Sequence, residues 1–341
     1  MRRFAEEWAK TRVSRSRADW ARREIGRGTL RGQRYDRATP GYYRAASGQR
    51  DGEYAVVSST QRIRDAQAAM PPGALIAGWA AAYVHGIDAL DGLDHLTLKP
   101  LPVPVLLPPG ARRRNTPGIR YRQSTRRIRG DVIDGIPVTM LLRTAYDLAR
   151  EAPDLTEAVA ALDAILRTRR LKPEHLQRNL GRIAGHRGSS QARQAVDLAR
   201  IGVRSTWESR LRMLAVLELG LLDLQPNRAV FDHQGYLLGI PDLLDVDAGL
   251  ALEYDGGTWR SDRAEGHRDR DQHREDNARE ERLERAGLIV VRAEKRDLTT
   301  YRRQLIGRIA TALAAGLRRD RTRDRWTLDE PSDWYGYDYY C

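Results

Sequence analysis

The stretch GIPDLLDVDAGLALEYDGG (residues 239–257) leaves a chain few choices. Two Leu-rich runs flank a short Asp-Ala-Gly segment, so it reads as a β-hairpin. With Asp247-Ala248 as the two-residue turn, Val246 opposes Gly249, Leu244 opposes Ala251 and Asp242 opposes Glu253. Strand side chains alternate between faces. Asp255 therefore joins Asp242 and Glu253 on one face, while Leu243, Leu250, Leu252 and Tyr254 point the other way. Like charges set opposite each other repel, so such a patch needs a cation or a proton. Carboxylate oxygens without cysteine suit Mg²⁺ or Mn²⁺, which bind through one or two carboxylates plus water and phosphate. A solvated hairpin face decorated with acids would carry the same letters. Against that, Ile240, Leu244 and Ala251 share the acidic face and imply partial burial, where an unpaired carboxylate is costly.

Flanking segments supply further candidates. Ser205-Thr206-Trp207-Glu208 opens a helix running to Leu219. As a capping box, Ser at the N-cap and Glu three residues on account for each other; alternatively Glu208 reaches the acidic patch from a helix packed on the sheet. Downstream, residues 267–287 spell a charged helix with His273, Asp276 and Glu280 at i, i+3 and i+7, and Arg279 beside them. Its alternating signs are those of a solvated helix, although His273 or Arg279 could face the acids. His267 lies near its start.

Composition bounds the rest. A chain of 341 residues with 41% apolar and 31% charged residues has room for two or three domains. The net charge of +13 hints at a polyanion, and all but four of its 59 cations (Lys10, Lys99, Lys172, Lys295) are arginines. The one cysteine, Cys341, excludes an intrachain disulfide framework and a Cys-based zinc site. No stretch approaches a membrane span, and MRRFAEEWAK has acids where a signal peptide would be apolar. A soluble, cytoplasmic protein is expected.

Five regions follow from the pattern. Residues 1–58 carry short helices and a turn at Pro40-Gly41 before an aromatic strand, the layout of a small winged helix. Residues 59–150 mix an apolar helix (GWAAAYVHGI) with strands in HLTLK, PVPVLL, GIRYRQ and VIDGIPVTM, an α+β domain. A helical spacer occupies 151–202, an α/β module 203–318, and an aperiodic tail 319–341. Within the second region, Arg112, Arg113, Arg114, Arg120, Arg122, Arg126, Arg127 and Arg129 crowd together with no acid between them. Such density suits phosphate, with Tyr121 placed to stack on a base or sugar. Arginine-protected strand edges would look the same. Base reading is expected from Arg22, Arg23 or Arg31, if a recognition helix carries them.

Here a family likeness enters. Glu208, Pro241-Asp242, Glu253-Tyr254-Asp255-Gly256, the charged helix and GLIVVRAEKRDL together resemble the PD-(D/E)XK nuclease superfamily, in its branch similar to the Vsr mismatch endonucleases. The resemblance covers residues 203–298. It implies a restriction-endonuclease-like α/β fold and Mg²⁺-dependent phosphodiester hydrolysis. Asp242 and Glu253 would be the metal ligands, Asp255 would position metal or water, and Glu208 would support a second ion or the water. Two residues depart from the pattern: Asp255 stands where the superfamily has Lys, and Trp259 where close relatives often have His. Lys295, Arg292 or Arg260 would be the substitute cation.

Upstream, GALIAGWAAAYVHGIDALDGLD, GIRYRQ and DGIPVTMLLRTAYDLAR are similar to actinobacterial proteins that join an AbiEi-type antitoxin region to this module. That likeness, over about residues 20–150, implies DNA binding through an N-terminal winged helix and a link to phage defence or toxin–antitoxin biology. The partners it implies are double-stranded DNA and a cognate toxin or a second copy of the chain. Two functions are thus expected: a metal-dependent endodeoxyribonuclease, or a non-catalytic regulator that keeps the nuclease fold as a binding platform.

Overall fold

A computed structural model describes residues 2–46, 57–180, 187–256, 278–332 and 334, which divide between two units, Met1–Asp197 and Leu198–Cys341. The chain is mixed α/β, with several small sheets and many helices. Among the described residues no helix is long and apolar enough to cross a membrane. The first two regions expected from sequence lie within the first unit, and the third, 151–202, crosses its boundary at Asp197.

That unit opens with α1 (Arg2–Ala9), β1 (Arg15–Ser16), α2 (Arg17–Ala21), a 3₁₀ turn at Thr29–Arg31, and the hairpin β2 (Tyr35–Thr39) and β3 (Tyr42–Ala45). The hairpin turns at Pro40-Gly41, as expected, with Gly41 at φ +85°. The three strands form an antiparallel sheet in the order β1-β3-β2, over a small core of Trp20, Leu30 and Tyr43. A capping box between Ser16 and Asp19 starts α2.

Next come α3 (Ser59–Ala69), β4 (Leu75–Ile76), α4 (Gly78–Val84), β5 (Val103–Leu107), β6 (Ile119–Gln123), β7 (Gly130–Ile133) and β8 (Ile136–Thr139). Their sheet runs β6-β5-β4-β8-β7. Alternation along PVPVLL and GIPVT drives Val103, Val105, Leu107, Ile136 and Val138 into one core with Ile63, Trp79 and the α1 residues Phe4 and Trp8. β7 and β8 join through Asp134 and Gly135, both left-handed (φ +48° and +75°), the backbone a two-residue hairpin needs. HLTLK, expected as a strand, is instead a turn. Asp94 Oδ1 accepts from the Leu96 and Thr97 amides and from Thr97 Oγ1, a local bonding pattern that outcompetes a ladder. Helices α5 (Leu141–Glu151), α6 (Leu155–Leu166), α7 (Pro173–Leu180) and α8 (Ser189–Leu198) complete the unit.

One buried polar group stands out here. Asp65 Oδ1 accepts from Ser14 Oγ (2.6 Å) and Gln61 Nε2 (2.9 Å), and Asp65 Oδ2 pairs with the buried guanidinium of Arg44.

The second unit begins with α9 (Thr206–Leu219), followed by β9 (Gln225–Pro226), β10 (Val230–Phe231), β11 (Leu237–Gly239), β12 (Leu243–Asp245) and β13 (Leu250–Tyr254). A helix over 278–285 (α10) then leads into β14 (Ile289–Ala293), α11 (Lys295–Thr299) and α12 (Arg302–Leu317). β10 and β11 form their own hairpin, and the main sheet runs β14-β13-β12-β9 with β13 and β14 parallel. β12 and β13 pair in the expected register: Leu243 opposes Leu252, Leu244 opposes Ala251 and Asp245 opposes Leu250. The Gly249 amide donates to Val246 O (3.3 Å) across the turn.

Alternation sorts the two faces of this hairpin as well. Leu243, Leu250 and Leu252 pack with Leu211 and Leu214 of α9 and Ile309 of α12. Leu244 and Ala251 pack with Leu283, Leu288 and Trp326 on the opposite face. At about 1.5–3 kcal/mol for each fully buried leucine, this double burial fixes the register, because a one-residue slip would turn every acid into a core. Gly316 lets α12 approach the turn: a Cβ there would lie 2.1 Å from Ala248 O. A final helix is expected over Thr300–Leu317 and is found as α12, with the short α11 ahead of it. The tail docks through residue 327, where the Thr327 and Phe231 backbones exchange hydrogen bonds of 2.8 and 3.0 Å; residues 335–341 lie outside the described residues.

Candidate functional site

Asp242 is the last residue before β12, and its side chain completes the ladder that the backbone leaves open. Its Oδ2 accepts from the Tyr254 amide at 2.7 Å. By continuation of the register, Asp242 faces Glu253, which is 8% exposed. Glu208, 6% exposed, comes in from the first turn of α9. Only half of the capping box forms: Ser205 Oγ accepts from the Glu208 amide (3.1 Å), while the Glu208 carboxylate turns inward. Its Oε2 accepts from the Arg204 amide and from Asn227 Nδ2, each at 2.9 Å.

Asn227 is the link that sequence reading missed. Its amide donates to Asp242 O (2.9 Å), and its Nδ2 donates to both Glu208 and Gly202 O. The backbone there is left-handed (φ +50°), a conformation that Asn tolerates better than most residues. Among the described residues its Oδ1 is buried without a hydrogen-bond partner. The one available signal was Asn directly after Pro226, a turn dipeptide in either reading.

The electrostatics follow from this packing. Burial pushes the Asp242 carboxyl up to about 7, and the neighbouring Glu208 adds to the rise; the Tyr254 amide, Arg279 and Arg204 act in the opposite sense. Glu253 accepts from Arg279 at 3.1 Å. Arg292 lies beside Glu253 in the parallel register and pairs with Glu280 at 2.6 Å. Of the three expected substitutes for the missing lysine, Arg292 is thus the cross-strand neighbour of Glu253. Lys295 sits over the Trp207 ring at 5.5 Å, and Arg260 lies outside the described residues, as do Trp259, His267, His273 and Asp276. Trp207 stacks on Tyr254 (5.6 Å, 3°) and Arg210 covers Trp207 at 4.5 Å, an aromatic clamp between the start of α9 and the end of β13. Asp255 is exposed, one residue past β13, with its amide donating to Ala293 O.

The site therefore assembles Glu208, Asp242 and Glu253 and leaves Asp255 at the rim. Hard carboxylate oxygens, and the burial and repulsion that together lift Asp242, fit a divalent cation. Among the described residues no group of three or more His, Cys, Asp or Glu side chains is disposed to hold one. The donor set on offer is the pair Asp242 and Glu253, with water and phosphate to fill the remaining positions.

In the first unit, Arg112, Arg113, Arg114, Arg120, Arg126, Arg127 and Arg129 are exposed, on and around the edge strand β6. Arg122 differs. It is paired with Glu151 and half-buried, and burial, with Arg120 and Arg150 nearby, pushes it down to about 10. Tyr121, expected to stack on a base, packs against the core instead, its hydroxyl 3.4 Å from Ala69 O. Of the arginines expected to read bases, Arg22 pairs with Asp19, and Arg31 lies in the 3₁₀ turn.

No family model matches the chain, and no solved structure matches it. Among curated proteins it is similar to two uncharacterized proteins of Mycobacterium tuberculosis, MT2308 and Rv2248, from two strains. Each is 29% identical over 216 residues, covering 63% of this chain and 74% of theirs.

Proposed function

We propose that this protein binds double-stranded DNA and that its second unit hydrolyses phosphodiester bonds with Mg²⁺ or Mn²⁺ held by Asp242 and Glu253. The observation that carries this reading is the convergence of Glu208, Asp242 and Glu253, from three separate elements, on one half-buried end of a sheet. A fold that spends stability to gather like charges gains it back when a cation or substrate phosphate enters. The ion, when bound, supplies a hydroxide source and neutralises charge on the phosphate under attack. The residues of the chain do the rest. Tyr254 N–H orients Asp242, Asn227 orients Glu208 towards it, and Arg279 and Arg292 offset negative charge beside Glu253. The exposed arginines of 112–129 track the backbone of the duplex. In this reading the first unit contributes a winged-helix-like region and an AbiEi-like region, and the second a PD-(D/E)XK-like module acting in phage defence or a toxin–antitoxin pair.

The test is nicking of supercoiled plasmid with Mg²⁺ or Mn²⁺. Asp242→Ala and Glu253→Ala should each lower cleavage by about 100-fold or more, in the range seen when a group that stabilises charge in the transition state is removed. Equal cleavage by wild type and variants, or none with metal, overturns the catalytic assignment.

One observation favours a second reading, a non-catalytic regulator of the AbiEi type. Arg279 already occupies Glu253 Oε2, a bond that a metal ion would have to displace or share. That reading is checked by gel shift on the upstream DNA of the protein's own gene, with and without residues 1–58.

A further inference from the structure

Beyond α12, residues 319–332 are bonded back onto the second unit at several points. Arg319 donates to Val246 O (3.4 Å) at the β12–β13 turn and pairs with Asp324 at 3.0 Å. The Arg325 amide donates to Ala286 O (2.8 Å), one of the carbonyls that the end of α10 leaves open. Thr327 bridges to Phe231 of β10, and Arg228 donates to Leu328 O (3.2 Å) while pairing with Glu330 at 3.0 Å. Trp326 is the anchor of this strap. It is 8% exposed and shares one buried cluster with Leu283 and Ala286, and with Leu244 and Ala251 from the acidic face of the hairpin.

What the strap holds is the helix that covers the acids. Arg279 and Leu283 stand one turn apart on the same side of α10, so seating Leu283 in the Trp326 cluster also places Arg279. Its guanidinium donates to Glu253 Oε2 at 3.1 Å. Two further tethers fix the helix, Glu280 to Arg292 (2.6 Å) and Arg282 Nε to Leu238 O (3.1 Å). A guanidinium there opposes a dication twice: it fills the acceptor, and its charge repels the incoming ion. Two features mark the strap as a releasable contact and not as core. Among the described residues it joins β10 by the one bridge at Thr327 instead of a ladder. Trp326 Nε1 is also buried with no hydrogen-bond partner, a cost recovered when the ring returns to water.

We infer that residues 319–332 form an autoinhibitory strap, anchored by Trp326, that seats α10 so that Arg279 occupies the metal-binding oxygen of Glu253. This rests on the reading that Asp242 and Glu253 hold Mg²⁺ or Mn²⁺, and adds the control of that site. The test uses the full chain and Mn²⁺ alone, with free Mn²⁺ read by electron paramagnetic resonance. Arg279→Gln should tighten Mn²⁺ binding about 10-fold, the worth of one hydrogen bond to a charged group. Trp326→Ala leaves the helix seated for only part of the time and should recover part of that gain, about 3-fold. Both substitutions act on one bond, so the double variant should bind no more tightly than Arg279→Gln alone. Thr327→Pro removes the amide donated to Phe231 O and keeps the Trp326 ring. It should act as Trp326→Ala does, and it carries the test if circular dichroism shows the alanine variant unfolded. Wild-type affinity in the folded strap variants, or a gain that adds in full to that of Arg279→Gln, overturns the strap and leaves the metal site standing. Unchanged or weaker binding by Arg279→Gln overturns the block at Glu253. Mn²⁺ binding that is absent throughout, or that survives Asp242→Ala undiminished, overturns the metal reading as well.

Discussion

Asp65 in the first unit and Asp242 in the second are both aspartates drawn out of water, and burial raises both carboxyls. Their surroundings differ in sign. Around Asp65 the neighbours are donors: Ser14, Arg44, Gln61 and Arg12 all favour the charged form. Around Asp242 the next influence after burial is another carboxylate, Glu208, and it pushes in the same direction. The first acid is a solved packing problem; the second keeps a like charge beside it, offset in part by the Tyr254 amide, Arg279 and Arg204. A buried charge with its partner supplied locally reads as architecture, whereas one facing its own kind reads as a site.

The comparison predicts opposite responses to the same substitution. Asp65→Asn leaves the buried Arg44 guanidinium only its longer pair with Asp36 and should cost about 3 kcal/mol in chemical denaturation. Asp242→Asn should instead stabilise the second unit by about 1–2 kcal/mol at pH 8, a figure discounted for its partial exposure. The sign follows from linkage. The folded-state value, about 7, lies above the ordinary 3.8, so between these values the native state binds more protons and wild-type stability falls as pH rises. The advantage of Asp242→Asn should therefore grow from pH 4 to pH 8 and vanish at the acid end. A melting curve in which it persists at pH 4 would break the contrast.

Mg²⁺ sharpens it further. At tenfold excess over its dissociation constant, the ion should stabilise the wild type by about 1.4 kcal/mol. Neither Asp242→Asn nor Glu253→Gln should respond, and Asp65→Asn should keep the full shift, as differential scanning fluorimetry can show. The smallest effect is expected at the partly exposed pair Arg122 and Glu151, where Glu151→Ala should change stability by less than about 1 kcal/mol.

How much of this was legible in the sequence depended on how local each cause was. The β12–β13 register could be read because alternation, a turn and two apolar faces all demanded one pairing. Helix α9 was equally plain, from its Ser205 cap. Glu208 was ambiguous because a capping box explains the same letters; only the amide of Arg204 and the side chain of Asn227 show that its carboxylate turns inward. HLTLK failed as a strand because one aspartate offered three closer bonds. The strip at 112–129 was correct as a run of exposed cations except at Arg122, whose partner Glu151 lies in another element, beyond the reach of any pattern in the strip. Tyr121 was misplaced for a related reason: in strand β6 it alternates with Arg120 and Arg122, and the inward side belongs to the core.

Asn227 has one more consequence. Its main-chain N–H is fixed to the backbone of Asp242 and its carboxamide to Glu208, so the separation of those two acids is set by the length of a single short side chain. It works as a ruler. Glutamine carries the same amide on an arm about 1.5 Å longer, one carbon–carbon bond. It should shift Glu208 relative to Asp242 without altering charge or hydrogen-bonding chemistry, and any activity that depends on the gap between them should track that bond length.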